Sequence, residues 1–382
     1  MMTIQYRGKP KSEALNKLGK SWGIHALRSM ASPVGSDIVL APARALPETR
    51  QVIFRNINST QGDAMPDAQL SAATPLPPAT HHTAADFHPE VLKLFDQYVH
   101  GAIDRRGFLA SASKYAVAGV SATMLLEMLN PNFAAAQQVK KDDPRIVAKY
   151  VEYASPDGSG KVKGYLVTPA KYEGKLPAVL VVHENRGLNP HIEDIARKVA
   201  LDNFIAFAPD ALTPLGGYPG DEDKAREAFS KLDQTRARAD FVAAYGFLKA
   251  MKEVSGKVGV VGFCYGGSMA NYLATQLPDL AASVPFYGSA AKTEDVPKIK
   301  SPLLIHYASN DERINAGWPA YETALKAAGV KHEAFIYPGT QHGFNNDTTP
   351  RYDAAAAKLA WDRTVAFLNK HVQAIGLGTA RR

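Results

Sequence analysis

Val258-Gly259-Val260-Val261-Gly262-Phe263-Cys264-Tyr265-Gly266-Gly267 decides the fold of this chain. Up to Phe263 the run is apolar and β-branched, the composition of a buried strand. From Tyr265 to Thr275 the residues are mostly small and compatible with a helix. Gly262 and Gly266 flank the thiol in a Gly-x-Cys-x-Gly pattern, the strand-to-helix turn called a nucleophile elbow, with cysteine where serine is usual. Glycine belongs on both sides because side chains there would collide with neighbouring backbone. Cys264 is the only cysteine of the 382 residues, which excludes an intramolecular disulfide and a cysteine-rich metal site.

Working outward, strands alternate with helices. Residues 146–153 and 162–168 read as two strands joined by Ser155-Pro156-Asp157-Gly158-Ser159-Gly160, a hairpin-like turn. Residues 177–183 form a continuous apolar run, as in a sheet covered on both faces. A helix over 192–201, a strand over 204–207 and a helical stretch over 221–252 with a break near Asp233 lead into the elbow. Strands over 282–287, 302–307 and 332–337 follow, with helices over 318–328 and 352–372. This alternation predicts one α/β domain over 145–375, with a doubly wound, mostly parallel sheet flanked by helices.

A cysteine nucleophile needs a base, and the base needs an orienting group. In doubly wound hydrolases these follow the nucleophile in the order acid, then histidine. Asp311 comes just past the strand 302–307, with Glu312 beside it as a rival. His342 comes just past the strand 332–337, in the glycine-flanked loop Gly339-Thr340-Gln341-His342-Gly343-Phe344. Both therefore fall at the sheet edge that carries the elbow, where ligands bind in open α/β sheets. No histidines cluster along the chain at metal-ligand spacing, so no metal or other cofactor is expected.

Gly262-Phe263-Cys264-Tyr265-Gly266-Gly267, Asn310-Asp311, Gln341-His342-Gly343-Phe344 and His183-Glu184-Asn185-Arg186-Gly187-Leu188-Asn189 together resemble the dienelactone hydrolase family of the α/β-hydrolase fold, over about 145–370. The resemblance implies a triad of Cys264, Asp311 and His342, with Glu184 as the carboxylate that contacts the resting thiol. It also implies backbone oxyanion donors at Tyr265 and Asn185. The activity implied is hydrolysis of activated esters or enol lactones through a thioester acyl-enzyme. In this family arginines grip the substrate carboxylate, one of them shortly after the catalytic histidine. Here Asn345, Asn346 and Asp347 stand in that region. Arg186, Arg313 and Arg351 are the substitutes, and Tyr218, in the glycine-rich loop 216–220, is a further candidate for the pocket. The alternatives are a catalytically idle binding domain of the same fold, or an acyltransferase in which something other than water takes the acyl group.

The N-terminal third reads differently. Residues 1–85 lack sustained periodicity and read as a poorly ordered extension or one mis-called from the wrong start, 51–57 is a short strand candidate, and 67–83 has the Ala, Pro, Thr and His content of a linker. Over 86–100 an amphipathic helix places Val91, Leu92, Leu94, Phe95 and Tyr98 on one side. Asp104-Arg105-Arg106-Gly107-Phe108-Leu109, the apolar stretch 115–126 and Ala134-Ala135-Ala136 resemble a twin-arginine export signal, too short in its middle to span a bilayer. Its place within the segment 86–136 fits a signal only if translation starts downstream, near Met65, which would make the protein periplasmic. Otherwise the segment is a helix packed on the domain and the protein is cytoplasmic. The net charge of +7 is modest and no basic run is interleaved with aromatics, so nucleic acid is not an expected partner and a small ester or lactone is. The oligomeric state is not legible.

Overall fold

The computed structural model describes residues 82–373 except Ala118. The strand candidate at 51–57 and nearly all of the linker candidate lie outside the described residues.

Among the described residues four helices come first: α1 (Pro89–Val99), α2 (Arg105–Ala112), α3 (Ala122–Leu129) and α4 (Phe133–Ala136). Pro89 occupies the first turn of α1, where its missing N–H is not needed, and the His88 ring accepts from Glu90 N–H at 3.2 Å. Val91, Leu92, Phe95 and Tyr98 recur at helical spacing and are buried. They pack with Phe108 of α2 and Leu125, Leu126 and Leu129 of α3 into a small core of their own. The apolar stretch at 115–126 is therefore not one continuous helix. A 3₁₀ turn (Ser113–Tyr115) precedes an irregular stretch, and α3 begins only at Ala122, capped by Ser121. Among the described residues no helix is long and apolar enough to cross a membrane.

This helical segment is seated on the rest of the chain by polar contacts. Arg105, half of the arginine pair, reaches Asp223 at 3.1 Å, and the Tyr98 hydroxyl donates to the same carboxylate. The Arg226 guanidinium lies 4.3 Å from the centre of the Tyr98 ring. Further on, the Asp194 carboxylate accepts from the backbone N–H groups of Gln138 and Val139, both at 2.9 Å.

Among the described residues the sheet has eight strands: β1 (Ile146–Ser155), β2 (Gly160–Pro169), β3 (Leu176–Val182), β4 (Ile205–Pro209), β5 (Val254–Phe263), β6 (Ala282–Phe286), β7 (Leu303–Asn310) and β8 (His332–Gln341). Their order is β1-β2-β4-β3-β5-β6-β7-β8. β2 pairs antiparallel with both β1 and β4, and every pairing from β4 through β8 is parallel. The expected mostly parallel sheet is thus observed, with an antiparallel hairpin at one edge. The connecting helices are α5 (Pro190–Leu201), α6 (Glu222–Ser230), α7 (Gln234–Ala250), α8 (Tyr265–Gln276), α9 (Glu312–Asn315), α10 (Trp318–Ala327) and α11 (Ala354–His371). The break near Asp233 is real, since Asp233 caps α7 by accepting from Thr235 and Arg236 N–H.

Two apolar layers sandwich the sheet. One joins α7, α8 and α10 to one face, and the other joins α5 and α11 to the opposite face. Central β3 and β4 are buried at every position, which is why their sequences read as unbroken apolar runs.

Candidate active site

The loops that follow β3, β5, β6, β7 and β8 begin at the same edge of the sheet, because these strands are parallel neighbours. Each supplies one part of the site. After β5, Cys264 sits at φ 57° and ψ −111°, a conformation L-residues rarely adopt. The turn is enforced by contact. A Cβ on Gly262 would lie 2.0 Å from the Gly266 carbonyl oxygen, and one on Gly266 would lie 2.1 Å from that of Val182. Cys264 N–H donates to Phe286 O at 3.0 Å and its own carbonyl accepts from Ser268 N–H at 3.0 Å, which pins the elbow to β6 and to the start of α8.

Asp311 follows β7 directly and His342 follows β8 directly. The His342 Nδ1 lies 2.6 Å from Asp311 Oδ2, and both side chains are almost fully buried. Nδ1 therefore carries a proton and donates it to the carboxylate, leaving Nε2 for chemistry. Asp311 Oδ1 also accepts from Ile314 N–H, capping α9, whereas Glu312 is exposed. That settles which of the two acids meets the histidine.

Burial raises the Cys264 thiol, but the His342 and His100 rings, by charge and by hydrogen bonding, outweigh it and leave the group lowered to about 6. Burial likewise lowers His342, and the facing sulfur and the Asp311 bond override it, so the imidazole is raised. The two groups favour a thiolate–imidazolium pair at neutral pH. The sulfur also stands at the N-terminus of α8, where the helix dipole supports negative charge.

His100 was not anticipated from sequence. It ends α1, and its Nε2 lies 3.4 Å from Cys264 Sγ. Its ring packs edge-on to that of His342 with centroids 4.7 Å apart. Tyr287, after β6, was also missed. It is fully buried at φ 36°, its hydroxyl has no partner among the described residues, and its ring stands 5.1 Å from that of His342.

The remaining candidates scatter. The Glu184 carboxylate accepts from Asn346 Nδ2 at 2.8 Å, while the hydrogen-bond partner of the thiol is His100. Asn185 N–H donates to no protein group among the described residues, and Tyr265 N–H is at the first helical position, where no intrahelical acceptor exists. Arg313 borders a cavity of about 250 Å³ that opens onto Cys264, with Val99, His100, Tyr265, Ser268 and Tyr287. Arg186 donates to Val99 O at 3.2 Å and Arg351 lies 3.5 Å from Asp96, so both are engaged with α1. Tyr218 donates to Glu222 at 2.9 Å and lines a separate cavity. The glycine-rich loop that carries it therefore does not line the cavity over the sulfur, because the capping contacts of Asp210 with Tyr218 and Leu212 N–H fold it away.

The ligand atoms of His100, Cys264 and His342 lie within 4.8 Å of one another, a spacing a thiophilic divalent ion accepts. The histidines thus cluster in space although not along the chain. The Arg313 guanidinium, 3.0 Å from His100 Nε2, competes for that lone pair and adds positive charge beside it, which counts against a dication.

The sequence signature of the dienelactone hydrolase family matches residues 162–372, more than half of the chain. The chain belongs to the dienelactone hydrolase family. It is an ester or lactone hydrolase of the α/β-hydrolase fold. It is 31% identical over 254 residues to "Putative carboxymethylenebutenolidase" of Escherichia coli K12, covering 62% of this chain and 92% of that one. "Putative hydrolase fragment YghX" of the same organism is 58% identical over 116 residues, 30% of this chain and 99% of that one. A putative dienelactone hydrolase crystal structure from Klebsiella pneumoniae superposes with a TM-score of 0.52 at 25% identity, covering 59% of this chain and all of that one. A second signature, YqhI-like, matches residues 79–117, which hold α1, α2 and His100.

Proposed function

We propose that this dienelactone hydrolase acts on activated esters or enol lactones with Cys264 as nucleophile, His342 as proton carrier and Asp311 as the group that holds the imidazole. The observation that carries this reading is the strained elbow cysteine beside a buried histidine whose other nitrogen is fixed at 2.6 Å on a buried carboxylate. In acylation the thiolate attacks the carbonyl, and the imidazolium gives its proton to the departing enolate or alkoxide. In deacylation His342 takes a proton from water as the water oxygen bonds to the acyl carbon, the carbon–sulfur bond then breaks with its electron pair on sulfur, and the acid leaves. The N–H groups of Tyr265 and Asn185 serve the oxyanion. Arg313, at the cavity, is the candidate for a substrate carboxylate. Glu184, Arg186, Arg351 and Tyr218 act on the loops and on α1 that shape the site.

A panel of substrates tests this. Phenyl esters and enol lactones are expected to turn over at least about a hundredfold faster than the matched alkyl esters and amides, because a thiolate expels good leaving groups most readily. Free acid should remain the main product when alcohols or amines are added. Ester or amide products would favour the acyltransferase, and an inert protein the binding domain.

The twin-arginine resemblance bears on where this happens. Arg105 is committed to Asp223 and Phe108 is fully buried, which favours a segment that stays in place over one removed after export. N-terminal sequencing of protein from the native host is expected to show residues upstream of Pro89. A mature chain beginning near Gln137 would establish processing instead.

A further inference from the structure

Among the described residues, the hydrogen-bond partner of the Cys264 sulfur comes from outside the sheet edge. We propose that His100 is a second catalytic imidazole, delivered to the nucleophile by α1, so that the hydrolase site is complete only with the N-terminal helices seated. The proposal deepens the reading of Cys264 as nucleophile and rests on it.

His100 is built as His342 is built. Its Nδ1 donates to the Asp96 carbonyl at 2.8 Å and lies 3.2 Å from the Asp96 carboxylate. That fixes the proton on Nδ1 and turns Nε2 toward Sγ at 3.4 Å. Each imidazole thus has a carboxylate behind it, Asp311 for His342 and Asp96 for His100. Asp96 is itself placed by Arg351 at 3.5 Å and Arg313 at 3.9 Å. The position of α1 is set by the loop after β3: Asn185 Nδ2 and Arg186 Nη1 both donate to Val99 O, at 2.8 and 3.2 Å. The same loop that offers an oxyanion N–H therefore holds the helix end that carries His100. Its place as the C-cap of that helix also favours a positive ring there.

The two histidines differ in what they can do. His342 is deep and permanently tied to Asp311, so it shuttles the proton between leaving group, water and sulfur. His100 lies at the cavity wall, where Arg313 Nη2 approaches its Nε2 at 3.0 Å. Arg313 stands where a donor to a neutral ring would stand; protonation of Nε2 from solvent in the resting enzyme turns the guanidinium toward the cavity, where a substrate anion would meet it, and leaves Nε2–H donating to the sulfur. The step this serves is thioester collapse: the carbon–sulfur bond breaks, the pair goes to sulfur, and His100 receives the new thiolate with a hydrogen bond while His342 keeps the proton taken from water. The charged groups facing His100 are Asp96 on its own helix, Cys264 at the elbow, His342 after β8, and Arg313 on α9. Burial opposes a charged ring, and the Cys264 sulfur with the Asp96 bond overrides it, raising His100.

The test uses the full chain and reads the thiol directly. The rate of Cys264 alkylation by iodoacetamide is followed against pH for wild type, His100→Gln and Asp96→Asn, beside the single-turnover deacylation rate after p-nitrophenyl acetate. Glutamine keeps a neutral donor and loses the charge. His100→Gln is expected to move the alkylation midpoint up by about one pH unit, so that about tenfold less thiolate forms below it, and to slow deacylation about tenfold. Asp96→Asn should shift both in the same direction by less, and it carries the test if His100→Gln does not fold. A His100→Gln protein whose alkylation profile superposes on wild type, with deacylation within about twofold, overturns the proposal. A wild type that alkylates with a low midpoint yet turns over no ester contradicts the hydrolase chemistry of Cys264 alone and leaves the His100 contact standing, which keeps the two failures apart.

Discussion

Cys264→Ala is expected to lose ester turnover by a factor of at least about 10⁴ in kcat/KM, with an unchanged melting temperature. Alanine fits the elbow as cysteine does, since the turn is fixed by the glycines and by backbone bonds to Phe286 and Ser268 and not by sulfur. What alanine removes is the sulfur on which the proposed acyl bond forms. Cys264→Ser is the sharper comparison. The hydroxyl stays far from ionisation at neutral pH, while the site is arranged for a resting anion facing an imidazolium. Serine at this position should therefore retain no more than about one hundredth of wild-type turnover. Steady-state kinetics on one activated ester, with circular dichroism as the control for folding, reads both variants. Near-normal rates from the alanine variant would remove the nucleophile from the account.

Asp311→Asn is the second large effect, on the order of 10³ to 10⁴ in kcat with little change in KM. The amide can still occupy the carboxylate's place and cap α9 through its oxygen, so the fold is kept. It loses the charge that stabilises imidazolium, and it can offer an N–H to Nδ1, which would push the proton to Nε2, the wrong nitrogen. The sign with pH follows. In wild type the thiolate is already formed well below an ordinary thiol value, so alkylation should rise through a midpoint near 6. With Asp311→Asn the imidazolium is less stable, the thiolate loses its counterion, and the midpoint should move up toward the ordinary thiol range. The same variant tests Glu312: if Glu312 were the true partner, Asp311→Asn would be nearly silent and Glu312→Gln would not.

The elbow, Asp311 and His342 were legible because each lies one residue past a strand of a parallel sheet, and parallel neighbours bring their ends together by topology. Sequence order alone then carries three-dimensional information. His100 carries none of this. It is 164 residues from Cys264 and ends a helix outside the sheet, so no local period places it on the sulfur. The clue that was present is Asp96 four residues before His100, a spacing that lets a carboxylate steady an imidazole on a helix. The apolar stretch at 115–126 reads two ways for a different reason. Leu125, Leu126 and Leu129 are apolar to fill a core shared with Phe108, and an apolar run that packs inside a small helical cluster has the same composition as the middle of an export signal. Arg351 and Tyr218 were reasonable pocket candidates by position, but a loop position says nothing about which way a long side chain turns. The structure turns Arg351 to Asp96 and over the Phe95 ring, and Tyr218 to Glu222.

The central claim is that an acyl group rests on one sulfur during turnover. Acid quenching of wild type within the first turnover of p-nitrophenyl acetate, followed by proteolysis and mass measurement of the peptide carrying residue 264, tests it most directly. The account predicts one acetyl group on Cys264, removed by neutral hydroxylamine and absent from the Cys264→Ala protein. Acetyl on another side chain that forms and decays at the turnover rate, with residue 264 unmodified throughout, would contradict it.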